Sequence, residues 1–259
     1  MKIFLDVGSH KGETLKEVIK SKYNFEKIYC FEPSKKCIKD LTKIGDKRVK
    51  ILNYGLSDKN QVLKLYNSGT LGASIIHRHL SDNNNSFEKV KLVKASQWFK
   101  KNIKIQDLVI VKLNCEGSEC DILEDLLDFD QFSYIYNVLI TFDIREFPKL
   151  SFREIEIRKK LKKTKLNNFC FSDNIMKGKS HQNRINYWLK EIGVINKINN
   201  KITLEKLNQK KLFYYSNKSG FFFRLEIYFK KIILYQYFPI FIKNYLKKIK
   251  KMSFLSREI

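Results

Sequence analysis

The sequence predicts an α/β fold, a doubly wound parallel sheet with helices on both faces, extended by a basic helical C-terminus. Three observations carry this. Apolar, partly β-branched runs at 2–7, 28–31 and 108–113 have the length and composition of buried parallel strands. Each run ends in polar or glycine-containing residues and is followed by apolar residues at helical spacing. The first of these turns holds two glycines four residues apart, Gly8 and Gly12.

That turn lies in "FLDVGSHKGETL", residues 4–15. Strand 2–7 gives way to the glycine loop, and Leu15, Val18 and Ile19 then mark a helix over 13–22. Strand, loop and helix together aim backbone N–H groups and a helix N-terminus at a ligand. An ordinary turn without a ligand is the alternative. The glycine spacing narrows the ligand. A dinucleotide fingerprint needs G-x-G-x-x-G, and here Ser9 and His10 follow Gly8, so the glycine that admits a pyrophosphate is missing. No G-x-x-x-x-G-K-[ST] loop occurs either. D-x-G-x-x-x-G suits a ligand with no phosphate to cradle, such as S-adenosylmethionine, with Asp6 ordering the loop or a ligand amino group.

The second strand, 28–31, runs into Glu32, 24 residues beyond Gly8. A doubly wound fold carries its acceptor for ribose hydroxyls about 20 residues past the glycine loop. Pro33 suits the first turn of the helix that follows. A solvated loop acid is the other reading of Glu32. Strand 108–113 ends in "NCEGSE", which brings Lys112, Asn114, Glu116 and Glu119 to the carboxyl edge of the sheet with Asp6 and Glu32. Carboxylates and a lysine in one cleft suit proton transfer or a cation. Helix capping is the plainer role for Glu116 or Glu119.

"FLDVGSHKGE", "YCFEPSKKCIKDL", "ILNYGLSD" and "LVIVKLNCEGSECDILEDLL" resemble, in order and spacing, the successive motifs of the FkbM family of S-adenosylmethionine-dependent methyltransferases. The resemblance covers about residues 1–150, and K-x-[DN]-x-E-G-x-E at 112–119 is its most specific part. It implies a Rossmann-like class I methyltransferase sheet and S-adenosylmethionine as cofactor. The implied reaction is O-methylation of a hydroxyl on a sugar, glycan precursor or related small molecule, as in polysaccharide or natural-product synthesis. Carried over residue by residue, it implies cofactor contacts from Asp6, Gly8, Ser9, His10, Gly12, Glu32, Pro33, Leu56, Ser57 and Asn114. It implies catalytic chemistry at Lys112, Asn114 and Glu116. Many members have aspartate where this chain has Asn114, and an amide is no base and a poor metal ligand. Glu116, His77, His79, Asp143, Glu146 and His181 are the candidates for the vacated role, Asp143 and His181 among the catalytic residues.

"TLGASIIHRH", residues 70–79, is similar to a family segment close to the cofactor, which implies an active-site lid with Ser74 and His77 as substrate contacts; a solvated loop is the other reading. The H-x-H pair is a weak metal signal without a third ligand, and Glu116 with a neighbour is a separate weak candidate for holding a divalent cation. "NVLITFDIREFP", residues 137–148, reads as a further strand that ends near Asp143, Arg145 and Glu146. Arg145 there either pairs with a phosphate or carboxylate of the substrate or makes a structural ion pair. "SFREIEIRKKLKKTK" is helical, and "SDNIMKGKSHQNRINYWL" is loop-like before it brings His181, Asn183, Arg184 and Trp188 over the pocket.

Charge divides the chain. Residues 1–150 carry 25 Lys+Arg against 20 Asp+Glu, and residues 151–259 carry 26 against 7. Lysine outnumbers arginine 43 to 8, which speaks against a nucleic acid partner, for which arginine forks are expected. The expected organisation is a cofactor-binding core over 1–150, its continuation with substrate-side elements over 151–218, and a basic aromatic tail over 219–259. The tail interleaves aromatics with lysines over 219–251, a pattern for peripheral contact with an anionic membrane, for packing on the core, or for a homo-oligomer. Its longest uncharged run, 232–242, is too short to span a bilayer. The five cysteines form no C-x-x-C pair and read as free thiols, and residue 1 leads into strand 2–7 with no leader pattern, so a cytoplasmic protein is expected, peripheral to the inner face of the membrane if the tail docks there. A non-catalytic binding module is the rival to the methyltransferase reading, favoured by Asn114. An N-methyltransferase or nucleotide-sugar dehydrogenase is the rival among enzymes.

Overall fold

The computed structural model describes residues 1–76, 87–164 and 166–194. The tail 219–259, and His77 and His79, lie outside the described residues. Nine strands are described: β1 (Lys2–Val7), β2 (Lys27–Phe31), β3 (Val49–Leu52), β4 (Gly55–Ser57), β5 (Gln61–Tyr66), β6 (Phe87–Lys94), β7 (Leu108–Leu113), β8 (Ile135–Ile140) and β9 (Phe169–Phe171). Six form the main sheet in the order β3-β2-β1-β7-β8-β9, every neighbouring pair parallel. This is the doubly wound order, and it reverses direction between β1 and β7. A smaller sheet, β4-β6-β5, pairs β6 parallel to β4 and antiparallel to β5.

The helices are α1 (Leu15–Val18), α2 (Lys35–Thr42), α3 (Ala95–Asn102), α4 (Glu119–Asp128), α5 (Phe152–Lys163), α6 (Ser172–Ile175) and α7 (His181–Glu191). The strand period of two splits the core into two layers. Ile3, Leu5 and Val7 of β1 join Val109, Val111 and Leu113 of β7 in one layer, with Trp98 and Phe99 of α3, Leu123 of α4 and Leu161 of α5. Phe4 faces the other way, with Ile28, Ile110 and Leu139, against Leu15 and Val18 of α1 and Ile185, Trp188 and Leu189 of α7. Both faces of the central strands are therefore dry, which is why their sequences read as continuous apolar runs.

Some sequence readings need correction. The helix expected over 13–22 is a single turn, Leu15–Val18, followed by a 3₁₀ turn, Ser21–Tyr23. Asn24, in the left-handed conformation at φ +51°, closes that second turn. Trp188 is not over a pocket. It is fully buried, edge-on to Phe4, and its indole N–H donates to Asn137 Oδ1 at 3.0 Å. The strand read at 137–148 stops at Ile140 and is followed by a 3₁₀ turn, Ile144–Glu146. All five cysteines are free. Among the described residues no helix is long and apolar enough to cross a membrane.

The two central strands meet most closely at their carboxyl ends. A Cβ placed on Gly8, whose φ is +80°, would lie 1.8 Å from the Asn114 carbonyl oxygen. Any side chain there must part β1 from β7. Gly8→Ala should lower the unfolding free energy by roughly 2–5 kcal/mol, from left-handed strain and steric overlap together. Gly45 has a similar φ of +67° but its nearest neighbour would be 3.9 Å away. Gly45→Ala should therefore cost only the strain, about 1–2 kcal/mol. Urea unfolding of the two variants measures the difference; equal losses would mean that the close approach is unimportant.

Candidate functional site

A cavity of about 220 Å³ opens at the carboxyl ends of β1, β2 and β7, at the point where the strand order reverses. Its wall is built from three turns. The first is the glycine loop after β1, where Gly8 N and Ser9 N both donate to Phe31 O at 3.1 Å and so bind the loop to the end of β2. His10 holds the left-handed conformation at φ +48° there. Its ring Nδ1 lies 3.0 Å from Glu13 Oε1, while Nε2 is buried without a partner among the described residues.

The second turn follows β2 and contains Glu32, whose carboxylate bridges the two loops. Oε2 accepts from His10 N and Oε1 from Ser34 N, both at 2.8 Å. Burial pushes the Glu32 carboxyl above the usual carboxylate range, and these two N–H groups work against that. Each oxygen keeps a lone pair for a further donor.

The third turn follows β7. Glu116 and Gly117 sit at φ +55° and +109°, and the buried Glu119 holds the turn in shape. Its carboxylate accepts from Cys115 N at 2.9 Å and from Gly117 N at 3.1 and 3.2 Å. Burial, and next the negative charge of Asp143, push the Glu119 carboxyl up to about 7. Ser74 Oγ donates to Glu116 O at 2.6 Å, which ties the 70–76 segment to this turn. Thr70, Leu71, Ala73 and Ile75 of that segment line the cavity.

Beneath the loops lies a buried charge pair set by strand register. Asp6 of β1 stands opposite Lys112 of β7, and Lys112 Nζ is 3.3 Å from Asp6 Oδ1. The ammonium donates its hydrogen bond elsewhere, to Gly8 O at 2.7 Å. Neither Asp6 oxygen has a hydrogen-bond partner among the described residues, so the attraction is one of charge. Burial raises the Asp6 carboxyl and Lys112 opposes the rise. His181, the first residue of α7, reaches the same place. Its Nε2 is 2.9 Å from Thr14 Oγ1, and burial, then the nearby Lys112 charge, hold its ring below the usual histidine value.

The structure thus brings Gly8, Ser9, His10, Glu32, Pro33, Leu56, Lys112, Asn114, Glu116 and His181 to one cavity. Asp6 and Gly12 support it from behind, Gly12 against Leu41 and Ile44. Four expectations fall elsewhere. Ser57 is fully buried and donates to Asp58 Oδ1 at 3.0 Å, because it closes β4. Ser74 anchors the turn and does not line the wall. Asp143 lies behind the third turn, where it accepts from Glu116 N at 3.4 Å. Arg145 is exposed and pairs with Glu154 and Asp173 away from the cavity wall. Among the described residues no three His, Cys, Asp or Glu are grouped to hold a metal ion. Sequence reasoning missed Glu13 and Thr14. The H-x-x-E spacing of His10 and Glu13 could have suggested their pairing, whereas no local signal links Thr14 to His181.

The chain matches the family model of the methyltransferase FkbM domain over residues 6–167. Among solved structures it is similar to the crystal structure of methyltransferase FkbM from Methylobacillus flagellatus KT, at 14% identity and a TM-score of 0.33. That alignment covers 49% of this chain and 29% of the other. No curated protein matches it.

Glu119 gives the site a pH signature. Its folded value of about 7 lies above the unfolded carboxylate value of about 4.3. The folded state then binds the extra proton between those values, so stability falls as pH rises through that window. Glu119→Gln keeps a carbonyl acceptor for the turn and removes the titration. The stability difference between wild type and this variant should change by about 3 kcal/mol from pH 4.5 to 7. Chemical denaturation at both pH values reads it; parallel pH profiles would place the Glu119 titration outside this window.

Proposed function

The chain belongs to the FkbM methyltransferase family, and from that premise we propose that it is an S-adenosylmethionine-dependent O-methyltransferase acting on a hydroxyl of a sugar or glycan precursor. The observation that carries the cofactor assignment is Glu32. Its two oxygens are fixed by His10 N and Ser34 N at the cavity wall, with lone pairs left for a pair of vicinal hydroxyls such as a ribose presents. The other residues fit the same ligand. The space a Gly8 side chain would occupy is closed by Asn114, so backbone alone faces the cavity, and His10 on its wall has an Nε2 with no hydrogen-bond partner among the described residues. When bound, S-adenosylmethionine supplies the electrophilic sulfonium methyl.

The chain's own contribution is alignment and proton removal. Lys112 holds the Gly8 carbonyl and balances the Asp6 charge, which keeps the loop in place. His181 takes the proton that the acceptor hydroxyl releases. Its ring is held toward the neutral, basic form, and the bond to Thr14 engages Nε2 and leaves Nδ1 to act as base. Asn114 orients and cannot take that proton. A hydroxyl acceptor agrees with this provision of a base, and the family resemblance supports the sugar class.

Saturation with S-adenosylhomocysteine at a hundredfold excess over its Kd should stabilise the protein by about 2.7 kcal/mol. Glu32→Ala should lose most of that gain in a thermal-shift titration, and an undiminished shift would sink the ribose assignment. For the proton acceptor, kcat/KM should climb with pH along a limb centred below about 6.5 and then level off. His181→Gln should abolish that limb and lower kcat by roughly 10²–10⁴-fold. Survival of the limb in the variant would transfer the role to another group.

A further inference from the structure

The small sheet has one face toward the cavity and one away from it. Leu65 of β5 and Leu92 of β6 line the cavity from the inner face. Strand alternation places Val62, Lys64 and Tyr66 of β5 on the opposite face, paired in register with Lys91, Lys89 and Phe87 of β6. Lys64, Lys89 and Lys91 are exposed, as are Val62 at 65% and Phe87 at 44%. Two features of this face work against the isolated fold. Lys64 and Lys89 stand directly opposite each other, a like-charge pair that destabilises an antiparallel ladder. Val62 and Phe87 are left in water beside them, offset only in part by a cation–π contact of Lys64 Nζ 4.2 Å from the centre of the Phe87 ring. No acid occupies any of these six positions.

Lysines interleaved with an aromatic and an aliphatic side chain fit an interface that is anionic at its surface and apolar just below it. Nucleic acid would repay the charge but not the exposed Val62 and Phe87. An acidic protein would meet a face without arginine forks. We propose that the outer face of β5 and β6 docks on an anionic lipid bilayer.

The test is sedimentation of the full chain with vesicles of phosphatidylcholine containing one third phosphatidylserine, at low and moderate salt. Each lysine near such a surface is worth about fivefold in partitioning, so Lys64→Gln/Lys89→Gln/Lys91→Gln should bind about a hundredfold more weakly. A charge-matched control, Lys100→Gln/Lys101→Gln/Lys104→Gln, alters exposed lysines on and after α3 and should bind as the wild type does. Phe87→Ser should weaken binding with no change in salt dependence. Equal losses in the two triple variants would overturn the proposal, as would failure of the wild type to sediment with the anionic vesicles. Sedimentation equally well with pure phosphatidylcholine would overturn it too. Binding of S-adenosylhomocysteine in solution, measured on the same variants, separates this outcome from any failure of the methyltransferase reading.

Discussion

The architecture depends on how closely the ends of β1 and β7 approach. Reversal of the strand order between them leaves a crevice that none of the described helices fills, and Gly8 lets the two backbones close its lower end. With a side chain at that position the strands would part, and the three turns above them would lose their common base. The glycine loop is fastened to β2 through Phe31 O, and the turn after β7 is fastened by Glu119. Each attachment presumes that the strands beneath are already in register.

Register also explains the buried charges. Asp6 and Lys112 face each other because parallel pairing of β1 with β7 leaves them no alternative. A buried pair of this kind contributes little net stability, because desolvation offsets most of its attraction. Its effect is on shape. Lys112 Nζ grips the Gly8 carbonyl while its charge answers Asp6, so one side chain fixes a turn and neutralises an acid. Left-handed backbone at His10 and Glu116, on either side of the cavity, is strain that this framework sustains.

Much of this was legible in the sequence, and the reason differs from element to element. The runs at 2–7 and 108–113 are buried on both faces, so their apolar character survives any detail of packing. Glu32 was legible because its position follows from the length of one strand–helix–strand unit. The true end of α1 was not, since helical spacing continues through Ile19 whereas a left-handed Asn24 and tertiary packing decide where the chain turns. Arg145 illustrates a second kind of failure. Its acidic partners, Glu154 and Asp173, lie on α5 and α6, and nothing local shows whether a cationic side chain will meet those or a ligand. Ser57 and Ser74 failed for a third reason. A motif fixes where the backbone passes, and strand alternation at Ser57 or a hydrogen bond to Glu116 O at Ser74 then decides which side chains reach the cavity.

α7 closes over the strand with which the chain begins. Trp188 packs on Phe4, Lys2 Nζ donates to Val194 O at 2.9 Å, and His181 meets Thr14. A ribosome adding roughly 5–20 residues per second would make the first strand wait on the order of 10–40 s for this partner. During that interval, of the described helices, α1 and α2 alone are there to cover Phe4 and its neighbours, and one wall of the cavity does not yet exist. A half-made chain is therefore an open sheet with an apolar flank exposed. The ligand cavity becomes whole only as the last of these elements arrives.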